Sequence, residues 1–216
     1  MIKKYTYTPN TPKLVSIARA SYEASKQDKE QVLPCILFCA SVLESFINES
    51  YEFRRYLPRG EGTTSRYCYK IREYAFEMSN KVNSRDLIHN KYSYALALFS
   101  GDDSFKGKEP YESFKVLISI RNEIVHNKPE VFVSDLSICN EASLDLNQYQ
   151  KFIRQLKSKK VIEIFDDHLS WIDLLQNESV AKWAINVMDE MIALFINSLD
   201  EGEYKQCFER YYGESS

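Results

Sequence analysis

Residues 115–130 read KVLISIRNEIVHNKPE, and this stretch decides how the chain is read. Phe114, Leu117, Ile118, Ile120, Ile124 and Val125 recur at the spacing of one helical face, so the segment opened by Pro110 predicts a core-forming helix. Arg121, Asn122 and His126 are then set into its last turns, and Asn127 and Pro129 follow as stop signals. Arg121 and His126 are five residues apart, about 140° around an ideal helix. They converge only if the helix ends near His126, or if a second copy of the chain completes the arrangement.

The rest of the chain extends the helical reading. In 216 residues there are only 6 Gly and 6 Pro, so turns are few and elements are long. A cap at Asn10 or Thr11 with Pro12 opens a helix through LVSIARASYEASKQ. The next runs from KEQVLP toward Pro58, with Val32, Leu33, Ile36, Leu37, Ala40, Leu43, Phe46 and Ile47 at helical spacing and Pro34 in its first turn. Further helices are expected in SRYCYKIREYAFEMSN, RDLIHNKYSYALALFS, NQYQKFIRQLKSKK and ESVAKWAINVMDEMIALFINSL, with SWIDLLQ a turn or half-helix. GDDSFKGKEP is a polar loop, residues 127–147 look irregular, EVFVSDLSI holds a short strand or a loop, and the Tyr-rich end YKQCFERYYGESS trails off. There is no internal repeat and no linker. The expectation is a single all-α domain over 1–216, a bundle of antiparallel helices with additional helices.

Composition narrows the function classes. Hydrophobic residues make up 44% and charged residues 27%, as in a globular domain with a sizeable core. The net charge of −3 argues against a protein that coats nucleic acid, yet leaves room for a local basic site. Five cysteines with no CxxC pair do not form a zinc or disulfide framework, and Cys35 and Cys39 read as packing. No stretch approaches the ~20 apolar residues of a spanning helix, and MIKKYTYTPN has no apolar run behind its lysines. A cytoplasmic chain with no membrane association is the expectation.

The helix-end residues suit one chemistry. Imidazole titrates near neutral pH and can move a proton. A guanidinium offers a rigid fork to phosphate. That pair is sufficient for cutting RNA, because the ribose 2′-OH is the nucleophile and the protein need only hold geometry, shuttle a proton and stabilise charge. Asn122, one turn behind His126, is placed to orient its ring. The plainer reading of Arg121 and His126 is a surface ion pair and a capping histidine.

RNEIVH, residues 121–126, resembles the R-x4-6-H motif of the HEPN superfamily, including the polar residue directly after the arginine. ASVLESFINESY resembles the early helix of that family that carries an acidic residue near the motif, here Glu44, with Asn48 one turn later. SVAKWAINVMDEMI resembles a closing helix of some bacterial members. The resemblance covers a core of about 12–130 plus the helix at about 178–199, and residues 131–176 match nothing in it. It implies a small helical bundle, RNA as substrate, and a homodimer whose two motifs share one cleft. It also implies a metal-independent endoribonuclease with no cofactor, leaving 2′,3′-cyclic phosphate and 5′-OH ends. The biological setting would be a toxin–antitoxin module or anti-phage defence, with an antitoxin or regulatory protein as a further partner. The alternative is a HEPN-like module that dimerises and binds nucleotide, RNA or protein without turnover.

Secondary candidates stand beside the motif. Glu44 either pairs with Arg121 or faces solvent. Arg54, Arg55 and Arg59, interleaved with Tyr51 and Tyr56, form either an RNA-gripping patch or a solvated helix end. Lys157, Lys159 and Lys160 pose the same choice. His89 reads as structural, and Trp171 and Trp183 as core or interface residues. Some of the 15 tyrosines are candidates for a dimer surface.

Overall fold

The computed structural model describes residues 9–50, 52, 66–83, 87–126, 150–163 and 170–212, with 66–68 and 81–83 as backbone alone. Among these residues the protein is all-α, with helices α1 (Thr11–Ser25), α2 (Val32–Ser50), α3 (Arg66–Asn83), α4 (Ile88–Ser100), α5 (Tyr111–Val125), α6 (Lys151–Ser158), α7 (Trp171–Leu175), α8 (Glu178–Ser198) and α9 (Glu203–Tyr212). A 3-10 turn, Lys29–Gln31, leads into α2. The irregular stretch at 127–147, the strand or loop in EVFVSDLSI and the arginine patch at 54–59 lie outside the described residues.

α2 and α8 form the centre. Both are long and rich in buried apolar positions, and α1, α4 and α5 pack around them. The antiparallel expectation holds for the hairpins. α1 returns on α2 so that Glu49, near the end of α2, reaches the start of α1. Its carboxylate accepts from Asn10 N at 2.9 Å, Thr11 N at 3.3 Å and Thr11 Oγ1 at 2.8 Å. The first turn of α1 is therefore capped from another helix, and the Asn10 side chain makes no cap bond of its own. α3 and α4 are likewise antiparallel, with Lys70 Nζ donating to Phe99 O at 3.0 Å and Glu73 and Glu77 beside Tyr94.

α2 and α8 differ from that pattern and run the same way. Cys35 lies against Ala181 O near their starts, and Phe46 meets the Phe195 ring edge-on at 5.2 Å near their ends. A short loop forces neighbouring helices antiparallel, and no short loop joins these two. Cys39, in the same layer, has its thiol pushed well up, first by its hydrogen bond with Cys35 and then by burial. Both cysteines remain inert packing groups.

The Tyr-rich tail does not trail off. It forms the ten-residue helix α9, which buries Tyr204, Phe208 and Tyr212. Phe208 and Tyr212 pack on Phe46 at 5.6 and 5.0 Å. Polar residues between the aromatics disguise this four-residue repeat, whose helical form is stabilised by packing rather than propensity. α4 stops at Gly101, whose φ of 82° is the left-handed conformation glycine adopts freely.

The stretch Lys29–Ser50 corrects the expectation that no segment is long and apolar enough to span a membrane. Among the described residues it is long and apolar enough to cross a membrane by length and composition, with mean hydropathy 1.5. Half of that stretch is buried in the bundle, so core packing accounts for its apolar character as well.

Candidate functional site

The end of α5 matches the stop signals in the sequence. Val125 is the last helical residue, and His126 caps it, its backbone N–H bonding Asn122 O at 2.9 Å. Leu117, Ile118 and Ile120 anchor the preceding turns in the core, which fixes the direction of the final turn. Ile124 packs against the core edge. Val125 does not join that face. It is 56% exposed, because the helix has emerged from the bundle by that residue.

The Arg121 guanidinium is held from two sides. Nη2 donates to Glu44 Oε2 at 2.5 Å, and Nη1 donates to Asn122 Oδ1 at 3.0 Å. Of the two readings open for Glu44, the structure takes the paired one. α2 and α5 pack directly, and their contact carries this ion pair across. The arginine side chain remains 31% exposed. Each terminal nitrogen of a guanidinium carries two N–H donors. One bond at each leaves donors for an incoming anion, with the plane of the fork already set.

Asn122 does not do what the spacing suggested. Its amide oxygen turns to the Arg121 guanidinium rather than to the imidazole. A bond to a permanent cation is charge-assisted and strong, which accounts for the direction the amide takes. His126 itself is exposed to solvent. The site is thus a braced cation and an exposed imidazole, five residues apart at the end of α5.

Asn48 is one turn beyond Glu44 on α2, but it serves another residue. Its Oδ1 accepts from Lys91 Nζ at 2.9 Å. Lys91 is only 5% exposed, and the sequence reading passed over it. The signal was present: Lys91, Tyr92, Ala95, Leu96 and Phe99 form the buried face of α4, and a lysine in that register has to find a partner.

The other candidates separate cleanly. Arg54, Arg55 and Arg59 lie outside the described residues. Lys159 is paired with Glu109, whose other oxygen accepts from Ser113 N at 3.1 Å, so this lysine fastens α6 to the start of α5. His89 accepts at its backbone carbonyl from Tyr111 Oη at 3.1 Å. Trp171 is buried edge-on to Phe152, and Trp183 packs against the core. No group of three or more His, Cys, Asp or Glu among the described residues is arranged to hold a metal ion.

Concavities occur elsewhere. One cleft lies between α5 and α6, lined by Lys115, Ser119, Glu123, Lys151 and Gln155. Another lies at the start of α8, around Lys160, Asp173 and Asn177. Neither includes Arg121 or His126.

No family model matches this chain, and no curated protein and no solved structure matches it either. Fold and site together therefore define a class by their physics alone: an all-α bundle with an arginine braced by a carboxylate and, five residues on, a histidine at an exposed helix end.

Proposed function

We propose that this chain is a metal-independent endoribonuclease of the HEPN class, acting in the cytoplasm as a homodimer in a toxin–antitoxin or anti-phage role. The observation that carries the reading is the Arg121–Glu44 pair, which orients a partly exposed guanidinium in the last turns of α5, five residues before an exposed His126. In the proposed reaction the ribose 2′-OH attacks the adjacent phosphorus. His126 moves the proton, Arg121 binds the phosphate and stabilises its added charge, and the 5′-oxygen leaves. The products carry 2′,3′-cyclic phosphate and 5′-OH ends. Glu44 acts through Arg121 by fixing its fork, and Asn122 supports the same guanidinium.

The exposed Val125 at the end of α5 favours pairing of two α5 ends. The same exposed position also supports a second reading, a dimerising module that binds RNA, nucleotide or a regulatory protein without cutting. End-group analysis separates them. RNA incubated with the purified chain and EDTA is expected to yield cyclic-phosphate ends that resist ligation until opened. Products with 3′-OH ends rule out the 2′-OH mechanism, and intact RNA bound by a dimer supports the module.

A further inference from the structure

The outer stripe of α5 leads to His126. By helical geometry Lys115, Ser119 and Glu123 all fall within about 60° of the His126 position, and Glu123 is three residues before it. These three residues form one wall of the cleft between α5 and α6. Lys151 and Gln155 form the other, and the buried Phe152 also lines it. The cleft holds about 310 Å³, at the small end of ligand sites. Its second wall is fixed before any ligand arrives. α6 buries Phe152, Ile153 and Leu156, and Lys159 ties its end to Glu109.

Two carboxylates and two ammonium groups line the cleft, so its net charge is zero. Glu112 and Lys115 pair with each other at 2.6 Å. That leaves Glu123 on one wall and Lys151 on the other. Among the described residues neither has an ion pair or a side-chain hydrogen bond, and the Gln155 amide has none either. Balanced charge does not grip a phosphate chain, but it suits an uncharged ring with polar edges.

We infer that this cleft is the base subsite of the proposed nuclease, and that it selects guanine in the nucleoside whose 2′-OH attacks. The inference rests on the ribonuclease reading and names what the same site recognises. His126 takes the proton of that 2′-OH, so this ribose sits at the end of α5 and its base reaches the adjoining cleft. A carboxylate only accepts and an ammonium only donates. Guanine sets two donors side by side, N1–H and N2–H, for Glu123, and two acceptors, O6 and N7, for Lys151. Each other base offers a carboxylate a single donor group. The scissile phosphate stays outside the cleft, with Arg121.

The test has two independent arms. In the first, the full-length chain is titrated calorimetrically with the 3′-monophosphates of guanosine, adenosine, cytidine and uridine. The guanine nucleotide is expected to bind about tenfold tighter or more. Glu123→Gln and Lys151→Ala, checked for folding by circular dichroism, are expected to lose most of that preference. No binding, equal binding of all four, or a preference that both variants keep overturns the subsite. In the second, wild type cuts oligoribonucleotides that differ at one position. Products are expected to end in guanosine 2′,3′-cyclic phosphate. Cleavage without guanine preference overturns the subsite and leaves the nuclease standing. Guanine-selective nucleotide binding with no cleavage supports recognition by the cleft and counts against the nuclease.

Discussion

The last two turns of α2 show two faces that could hardly differ more. One face carries Leu43, Phe46, Ile47 and Ser50, all buried. Phe46 meets Phe195, Phe208 and Tyr212, and Ser50 is bonded to Tyr74 and, through its carbonyl, to Tyr204 Oη at 2.9 Å. The other face carries Glu44 and Asn48, which hold Arg121 and Lys91. The first face is redundant and dry: many rings share the packing, and burial keeps the Tyr74 and Tyr92 phenols strongly protonated. The second is sparse, with one carboxylate for one guanidinium. A fold can be fixed by the first face while chemistry is placed by the second, so the two should respond to mutation in different observables.

The sharpest contrast is expected at the helix end. Arg121→Ala and His126→Ala should each lower RNA cleavage by about 10²–10⁴-fold and leave the melting temperature nearly unchanged. Equal activity in both variants would break the functional side of the contrast. Phe46→Ala should do the reverse. It is expected to cost about 3–5 kcal/mol of stability, read by urea unfolding, because the surrounding rings cannot collapse into the space. Refolded protein at low temperature should retain the activity per folded molecule.

Glu44→Gln sharpens the comparison on one helix. The ion pair is partly exposed, so its stability effect should stay below about 1 kcal/mol. Cleavage should nevertheless fall by about tenfold, because the fork loses its fixed plane. A loss of stability without a loss of activity would make the pair a staple rather than a brace. The smallest effect on cleavage is expected at Glu49→Ala, one position beyond Asn48. It removes the cap on α1 and should cost about 1–2 kcal/mol by thermal melting, with no change in cleavage.

Much of this was legible in the sequence because periodicity reports burial. The helices at 111–125 and 178–198, the stop after His126, and the buried set of α2 follow from spacing and terminators. What was not legible depended on contacts between distant segments. The cap on α1 comes from Glu49, a residue 38 positions along the chain from Thr11. The parallel course of α2 and α8 depends on the path of the whole chain between them, which the spacing within either helix does not report. α9 was hidden because polar residues interrupt its aromatics, and only Phe46 across the interface reveals why they are spaced by four. At the site, the Arg121 and His126 placement was readable. The Asn122 amide was not, since its choice between guanidinium and imidazole depends on where the Arg121 fork already points. Lys91 marks the opposite case, where the pattern was present and its polar member was overlooked.

The most direct measurement is the rate of RNA cleavage in the presence of EDTA by wild type and by folded His126→Ala and Arg121→Ala proteins. A nuclease built on the end of α5 gives cyclic-phosphate products with the wild type and none above background with either variant. Cleavage at the same rate by all three would contradict it and place the activity, if any, elsewhere.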